Sequence, residues 1–290
     1  MEATTRLTTT LKIGFIGQGW IGKSYADNFE ARGFEPVRYA AEEEYQGNRD
    51  KIKDCDIVFI AVPTPSTPEG FDDSIVRDVV ALVGEGSVAV IKSTILPGTT
   101  ESIQAQYPGV FVFHSPEFLT EATAQHDADN PDRNIVGIPV DNAAYREKAE
   151  LVLSVLPRAP YELICGAKEA ELVKYGGNVS FFFKVLFFNL LYDLAQEVGA
   201  DYQVMRDAMG HDPRIGFVHI DPLHKSGRGA GGHCFIKDFK AFLDIYEQEV
   251  GDERGIQVLK ALESKNLELL LGTSKDVDLL RGVYGEGIAD

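Results

Sequence analysis

The sequence predicts an α/β fold in which a doubly wound parallel sheet is followed by an all-helical domain with a long central helix. Up to residue 166, short apolar runs alternate with helical stretches. Runs such as Ile57–Ile60 are apolar on both faces, as buried parallel strands are. After Gly166 the strand signals stop and a long helical stretch begins at Ala167. We therefore predict a flexible tail over residues 1–10, a sheet domain over 11–166 and a helical domain over 167–290.

The elements follow in order along the chain. Strands are predicted at residues 12–16, 34–40, 56–62, 88–93, 110–113, 134–138 and 161–165. In the sheet domain, the first helix follows a glycine turn and ends near Arg32, and further helices are predicted over 74–83, 99–106 and 142–156. The second domain should contain helices over 167–198, 202–209, 237–248 and 253–271. Between them, residues 210–233 are rich in Gly, His and Pro and predict an irregular loop.

Composition excludes several classes of partner. The chain has 290 residues, which is enough for two domains, and a net charge of −17 that repels phosphate backbones and anionic lipid. We therefore expect neither nucleic acid nor a membrane surface as a partner. Three cysteines far apart in the sequence fit neither a disulfide framework nor a zinc pattern, so no metal site is expected. The polar N-terminus is unlike a signal peptide, and the apolar stretch Phe181–Leu191 is too short to span a bilayer, which favours a cytoplasmic protein.

The first motif is a glycine turn between the first strand and the first helix. It reads Gly17-Gln18-Gly19-Trp20-Ile21-Gly22. Glycines in this context allow close approach of a dinucleotide pyrophosphate to the helix N-terminus, as in a Rossmann-like sheet, although a purely structural turn is the alternative. The acid expected at the end of the second strand is not obvious. Glu42 could bind the ribose hydroxyls of NAD, and Arg38 keeps NADP open.

Two further strand ends should face the same crevice, because ligands of open parallel sheets bind at the carboxyl ends of the strands. Val62, Pro63 and Thr64 lie at the end of the third strand, and Ser93 and Thr94 lie at the end of the fourth. Taken alone, these segments could equally be a proline-rich loop and a threonine helix cap.

Paired polar residues at helical spacing form the next candidates. Glu117 and Glu121 would share one helix face and could perform acid/base work, or they could be an exposed acidic face. Lys174 and Asn178 also lie four residues apart, on an apolar helix where they need polar partners. An oxyanion, a substrate hydroxyl or a buried ion pair would satisfy them.

The strongest nucleophile signal is Cys234, which follows the glycine-rich loop 227–232 and opens a predicted helix. A thiolate is stabilised there by the helix dipole and by a nearby cation such as Lys237. Asp238 follows one helical turn later. A structural cysteine is the alternative for Cys234, whereas Cys55 and Cys165 are expected to be core residues.

Together these motifs resemble the UDP-glucose/GDP-mannose dehydrogenase family, the NAD-dependent nucleotide-sugar 6-dehydrogenases. The matching segments lie at residues 17–22, 62–65, 92–99, 116–121, 131–137, 171–178 and 227–238, so the resemblance covers about residues 11–270. The family normally carries a further C-terminal α/β domain that holds the substrate nucleotide. We expect that domain to be missing here or supplied by a separate chain.

The resemblance implies roles for individual residues. Cys234 is similar to the family's nucleophile, Lys174 and Asn178 to its oxyanion stabilisers with Asp238 assisting, and Glu117 to its acid/base group. Thr94 and Glu121 would place a water and the nicotinamide. Cofactor contacts are expected from Gly17, Gln18, Gly19, Trp20, Ile21, Gly22, Val62, Pro63, Thr64, Ser93, Thr94, Glu121 and Lys237. Substrate contacts are expected from Glu117, Phe118, Leu119, Lys174, Asn178, Gly229, Gly231 and Gly232, and from Arg214 reaching a neighbouring subunit.

The chemistry that the resemblance implies is a two-step oxidation of a sugar C6 alcohol, on a UDP- or GDP-linked substrate, to a uronic acid. NAD takes a hydride twice, and the cysteine holds the carbon first as a thiohemiacetal and then as a thioester. A dehydrogenase acting on a smaller alcohol or hydroxy acid and a non-catalytic NAD-binding module are the alternatives. Lys174, Arg214, Arg228 and Lys237 would form a local basic site, and the apolar helix after Ala167 predicts a homodimer.

Overall fold

The computed structural model describes residues 11–289, so the predicted tail over 1–10 lies outside the described residues. The chain divides into two compact units. The first comprises the residues up to Thr64 together with Asp73–Lys174, and the second comprises Pro65–Asp72 together with the residues from Tyr175 onward.

The first unit is built on a seven-stranded sheet. Its strands, in chain order, are β1 Ile13–Ile16, β2 Val37–Tyr39, β3 Ile57–Ile60, β6 Val88–Ile91, β7 Phe111–His114, β8 Arg133–Ile138 and β9 Tyr161–Gly166. The short strands β4 Ser66–Thr67 and β5 Gly70–Phe71 form a separate hairpin. The spatial order is β2-β1-β3-β6-β7-β8-β9, so β2 lies on one side of β1 and the later strands lie on the other. The strand order therefore reverses between β1 and β3. A crevice at such a reversal is where open α/β sheets bind their ligands.

The helices α1 Trp20–Ala31, α2 Glu43–Gln46, α3 Ser74–Val80, α4 Thr99–Gln106, α5 Ala124–Asp129 and α6 Ala143–Val155 complete the first unit. Apolar side chains from the two faces of the strands enter two separate cores. Phe15 and Phe59 belong to one core, and Ile16 and Ile60 belong to the other. The α/β class and the long following helix are thus confirmed, with β1, β3 and β6 buried at every position.

One feature of the predicted sheet is wrong. The strands are not all parallel, because β7 and β8 pair antiparallel through His114 and Gly137 before β8 and β9 run parallel again. Strand direction depends on how the connection crosses the sheet, and a run of apolar residues does not encode it.

The second unit is helical. It contains the remainder of α7 Ala167–Glu197 together with α8 Tyr202–Gly210, α9 Gly232–Glu249, α10 Glu253–Gly272 and α11 Val277–Tyr284. One of its hydrophobic cores contains the stacked rings of Phe182 and Phe239, whose centroids lie 3.8 Å apart. Helix α7 is long and apolar enough to cross a membrane by length and composition, and a third of its most apolar window is buried. The apolar stretch therefore extends beyond Phe181–Leu191, and the prediction that it is too short to span a bilayer is wrong.

Two sequence predictions for the second unit need correction. The loop over 210–233 contains a small hairpin, β10 Leu223–His224 with β11 Gly227–Arg228. Helix α9 begins at Gly232 rather than near residue 237, because the Asp276 carboxylate accepts a hydrogen bond from the Gly232 N–H at 2.7 Å. That cap comes from a distant segment, and the local glycine run gave no sign of it. Helix α11 was not predicted.

Candidate active site

The glycine turn has the geometry of a dinucleotide cradle. Gly17 has φ +91°, and a Cβ there would lie 2.1 Å from the Ala61 carbonyl oxygen. A Cβ at Gly22 would lie 2.0 Å from the Gly17 carbonyl oxygen, so glycine is required at both positions. A Cβ at Gly19 would meet no described atom within 4 Å, and no described side chain caps α1 at this end. The space beside Gly19, at the start of α1, is therefore open, which fits a pyrophosphate.

The two neighbouring strand ends are tied to each other. Ser93 Oγ accepts from the Val62 N–H at 2.9 Å and donates to the Val62 carbonyl at 2.7 Å. Thr64 Oγ1 donates to the Thr94 carbonyl at 2.8 Å. The hydroxyls of Ser93 and Thr64 thus hold the loops after β3 and β6 together at the reversal point, whereas Pro63 is exposed and Thr94 is buried.

Arg38, the middle residue of β2, is already paired. Its guanidinium lies 2.7 Å from Asp27 and 2.8 Å from Glu30, and it donates to Gln18 at 3.3 Å. Two carboxylates balance its charge, which disfavours a role in binding a 2′-phosphate. Glu42, the candidate ribose acid, is exposed immediately before α2.

A buried ion pair occupies the region after β7. Lys174 Nζ lies 2.6 Å from Glu117 Oε1 and donates to the Glu117 carbonyl at 2.9 Å. The two residues are 5% and 2% exposed. The Leu119 N–H donates to Glu117 Oε2 at 2.8 Å, so both carboxylate oxygens are held. The sequence left a substrate oxyanion or a buried ion pair open for Lys174, and the structure shows the ion pair.

The helical pairing predicted for Glu117 and Glu121 is wrong. Residues 115–120 form no helix, and Glu121 opens a short 3₁₀ turn where it is exposed. The neighbouring Phe118 ring stacks under the Arg133 guanidinium at 3.7 Å. Glu117 is therefore buried and Glu121 exposed, although their spacing is typical of one helix face.

Glu171 is a residue of this site that sequence reasoning missed. It is fully buried on α7 and accepts from the Gly98 N–H at 2.6 Å, the Thr100 N–H at 2.9 Å and the Thr100 hydroxyl at 2.6 Å. Burial raises the pKa of Glu171, and the bonds from Thr100 oppose that effect. This carboxylate caps α4 and fixes the turn of α7 that carries Lys174 against the loop after Thr94.

In the second unit, Asn178, Lys237 and Asp238 form a polar cluster. The Asn178 amide donates to Asp238 Oδ2 at 2.6 Å, and the Lys237 ammonium pairs with Asp238 Oδ1. Asp238 is 1% exposed. Cys234 lies on the same helix, α9, one turn before Asp238, as the sequence predicted.

Cys234 lies on a helix, whereas Cys165 lies on β9 and is half-buried rather than in the core, and Cys55 is buried as expected. Cys234 is in the first turn of α9 and half-buried. Burial raises the pKa of Cys55 to about 11 and also raises that of Cys165, which keeps both as thiols at neutral pH. The described part of the chain contains no disulfide and no cluster of His, Cys, Asp and Glu that could hold a metal ion.

The glycine loop before Cys234 is held by residues that the sequence did not single out. Asn266 accepts from the Ala230 N–H at 2.7 Å, and Lys275 donates to the Gly229 carbonyl at 2.8 Å. Gly229 and Gly232 have positive φ, and a Cβ at Gly231 would lie 2.1 Å from an oxygen of Asp276. Asn266 lies within α10 and Lys275 in the turn after it, so a polar Asn among apolar helix residues is a signal for the first anchor alone.

The expected basic site is not a set of uncompensated cations. Besides Lys174 and Lys237, Arg214 pairs with Asp212 at 2.7 Å in an exposed loop, and Arg228 pairs with Asp193 at 2.7 Å. Each of the four cations has a carboxylate partner within its own unit. An anionic ligand would therefore have to compete with these carboxylates.

Comparison with known proteins gives matches along most of the chain. A model of the UDP-glucose/GDP-mannose dehydrogenase family NAD binding domain matches residues 35–153, and a model of the family's central domain matches 168–267. UDP-glucose 6-dehydrogenase AglM of Haloferax volcanii is 27% identical over 93% of this chain and 72% of its own length. UDP-glucose 6-dehydrogenase of Pseudomonas aeruginosa is 31% identical over 77% of this chain and 51% of its own length.

Among solved structures, a UDP-glucose dehydrogenase from Pyrobaculum islandicum superimposes with a TM-score of 0.74 at 28% identity, covering 88% of this chain and 68% of that one. The chain spans about half the length of several curated relatives that it matches. The two family models together cover most of the described residues, and the glycine cradle fits the cofactor that the first model names. The chain therefore belongs to the UDP-glucose/GDP-mannose dehydrogenase family, and its cofactor is NAD.

Proposed function

We propose that the chain is a nucleotide-sugar 6-dehydrogenase that oxidises the C6 alcohol of a UDP- or GDP-linked sugar to a uronic acid in two steps. The observation that carries the proposal is the buried Lys174–Glu117 pair, together with a cysteine in the first turn of α9. The names of the curated relatives support the same reaction class. NAD, when bound, supplies the oxidising power for both steps.

Cys234 is the proposed nucleophile. Its sulfur adds to the aldehyde carbon formed in the first oxidation, so that a C–S bond holds the reactive aldehyde as a thiohemiacetal. The second oxidation converts this carbon to a thioester. Water then attacks, the C–S bond breaks, and the thiolate is regenerated as the carboxylic acid forms. Cys234 lies near the N-terminus of α9, where the helix dipole stabilises a thiolate. This would help both when the sulfur attacks the aldehyde and when it leaves the thioester.

Lys174 and Glu117 supply the electrostatics and the proton transfer. The Lys174 ammonium stabilises negative charge on the reacting oxygen, and it is held ready by the Glu117 carboxylate at 2.6 Å. Glu117 accepts a proton from the attacking water. Asn178, whose amide is oriented by Asp238, offers a further hydrogen bond to the oxyanion. Thr94, Glu121 and the remaining predicted contacts to substrate and cofactor stay predictions.

The test is NADH formation with a panel of UDP- and GDP-sugars, followed by identification of a uronic acid product. Cys234→Ser should abolish uronic acid formation, while Cys165→Ser, the matched cysteine control, should not. Turnover that survives Cys234→Ser would refute the thioester route and favour a simple alcohol oxidation. Absence of turnover with every sugar, with NAD still bound, would refute the proposed activity.

We also propose that the chain forms a homodimer through helix α7. Phe183, Phe187, Leu190 and Leu194 recur at helical spacing on α7, and each is more than a third exposed. Such a stripe is larger than a single exposed apolar residue and is typical of an interface. Light scattering should give twice the chain mass, and Phe187→Glu should give a monomer. A wild-type monomer would refute the dimer.

We place the protein in a reducing compartment, the cytoplasm, because Cys55 and Cys165 are thiols and the nucleophile requires a reduced sulfur. Fractionation of the producing cells tests this, and recovery with the membrane would contradict it. The separate chain expected to carry a nucleotide-binding domain stays a prediction.

A further inference from the structure

The turn between α10 and α11, residues 273–276, reaches back to the glycine loop that precedes Cys234. Three hydrogen bonds join the turn to the backbone of the loop: the Arg228 N–H to Thr273 Oγ1 at 3.1 Å, Lys275 Nζ to the Gly229 carbonyl at 2.8 Å, and the Gly232 N–H to Asp276 Oδ2 at 2.7 Å. Turn and loop both lie in the second unit, and the turn lies beyond residues 168–267, which the central-domain model matches. The proposed mechanism gives this turn no role.

The turn and the loop are packed closely against each other. A Cβ at Gly231 would lie 2.1 Å from Asp276 Oδ2 and 2.8 Å from Lys275 Cε, so a side chain has no room there while both contacts persist. Lys275 is 4% exposed, so its ammonium has given up water to bind the loop. Close packing therefore prevents the loop from moving towards the turn, and the hydrogen bonds prevent it from moving away.

Asp276 makes its contact at the expense of its own helix. It is the N-cap of α11, with φ +55° and ψ +30°, and its side chain does not cap that helix. An N-cap aspartate ordinarily has extended backbone and accepts a hydrogen bond from the helix that it opens. A left-handed conformation is also unfavourable for a residue with a Cβ. Asp276 therefore carries backbone strain and leaves α11 uncapped while its carboxylate binds the start of α9, which is a pattern found where function requires the geometry.

The segment that the turn holds is the one that presents the nucleophile. Cys234 lies two residues after Gly232, in the first turn of α9. The loop contains Gly229 and Gly232 at positive φ, and glycine backbones are the least restricted, so the order of the loop must come from contacts outside it. A displacement of about 1 Å in a reacting group can cost about 100-fold in rate. The hydrogen bond at Gly232 fixes the point at which the chain enters α9, and with it the direction of the first turn.

We propose that Lys275 and Asp276 are positioning residues for Cys234, which hold the glycine loop so that the sulfur meets the aldehyde carbon as soon as it forms. The inference rests on the proposed function in that Cys234 is the nucleophile. When the loop is not held, the C–S bond forms less often and the aldehyde leaves the site. Each aldehyde that leaves has given one hydride to NAD and yields no acid.

The variants separate the carboxylate from the backbone. Asp276→Gly removes the carboxylate and relieves the left-handed conformation. Ser274→Gly is the matched control, since Ser274 lies in the same turn at φ +52° and its exposed side chain, among the described contacts, does not bond the loop. Asp276→Asn keeps a side-chain oxygen as acceptor and, like aspartate, tolerates left-handed backbone. The difference between the two glycine variants therefore reports the lost carboxylate.

The first experiment is amide hydrogen exchange of the full chain without NAD or sugar, followed by mass spectrometry of peptides that cover residues 227–234. These amides should exchange about tenfold faster in Asp276→Gly than in Ser274→Gly, because the Gly232 N–H loses a charged acceptor. Asp276→Asn should stay close to the wild type. Equal exchange in the two glycine variants would overturn the proposal. If Asp276→Gly does not fold, Lys275→Met is compared with the wild type, and unchanged exchange would likewise overturn it.

The ratio of NADH to uronic acid is the second readout. The wild type and Ser274→Gly should form two NADH for each acid, whereas Asp276→Gly should form more than two. In Asp276→Gly, kcat for acid formation should fall about tenfold or more, with little change in KM for NAD, because the glycine cradle lies in the first unit. A slower Asp276→Gly that still forms two NADH for each acid would show a merely structural role and would overturn the proposal. If no sugar is oxidised by the wild type, the proposed function fails, and the exchange comparison alone decides whether the turn holds the loop.

Discussion

The buried pair of Lys174 and Glu117 gives the sharpest stability prediction. We consider Lys174→Met and Glu117→Gln, singly and together. The ammonium and the carboxylate lie 2.6 Å apart, with side chains 6% and 3% exposed. Each single change leaves the partner charge buried without compensation, which costs about 3–5 kcal/mol of the free energy of unfolding. The double change leaves no charge, so its cost should fall short of the sum of the singles by about 2–3 kcal/mol.

The same unit offers a matched control. Lys168 and Glu101 lie 2.7 Å apart, but their side chains are 56% and 42% exposed. Water and side-chain entropy weaken such a pair, so Lys168→Met and Glu101→Gln should each cost at most about 1 kcal/mol. Residue types and the separation of the charges are matched, and burial is the main difference between the two pairs.

The assay is guanidinium unfolding followed by fluorescence of Trp20, the only tryptophan in the chain, which lies in the first unit. Its signal therefore reports on the unit that contains the pair. Additive single and double costs, or costs at Lys174 no larger than those at Lys168, would refute the reasoning that burial makes this pair strongly coupled.

Three further predictions follow from the first unit. Gly19→Ala should leave thermal stability unchanged but weaken NAD binding in calorimetry. Gly22→Ala should lower thermal stability, since its Cβ would lie 2.0 Å from a carbonyl oxygen. Equal stability losses in both variants would contradict the cradle geometry. His114 has a folded pKa of about 3 against an ordinary value of 6.5, so the unfolded chain takes the proton first and stability falls as pH drops from about 6.5 to about 3. His114→Gln should reduce the loss of unfolding free energy between about pH 6.5 and about pH 3 by up to a few kcal/mol. An unchanged dependence of the unfolding free energy on pH in this range would count against the prediction. Glu171→Ala should cost about 3–5 kcal/mol in denaturant unfolding because three donors lose their buried acceptor, and Glu171→Gln should cost less; no difference between the two would exclude the capping role.

Much of the fold was predictable because its signals are local. The alternation of apolar runs and helical stretches, the turn at Gly17–Gly22 and the helix from Ala167 are written in short windows of sequence. Helix Thr99–Gln106 was predicted with its observed bounds. The cysteine at a helix start was also readable, since a glycine run followed by helical periodicity indicates such a start.

Much of the candidate site was not predictable, because it depends on contacts between distant segments. The helical spacing of Glu117 and Glu121 was misleading, since Glu117 is drawn into the core by Lys174, which lies in a different element. The start of α9 depends on Asp276, and the pairing of Arg228 depends on Asp193, and neither partner is near in sequence. Glu171 was not predicted as a site residue, because the sequence does not show that this carboxylate is buried or which N–H and O–H groups donate to it.

The sequence by itself determined the elements, the glycine cradle and the family, because each rests on residue types at fixed short spacings. Only the tertiary structure decided that β8 runs antiparallel to β7, that every expected cation already has a carboxylate partner, and that Asp276 binds the glycine loop before Cys234. The physical reason is that strand direction, burial and ion pairing are set by which distant segments meet, and the free energy of a buried charge depends entirely on those neighbours.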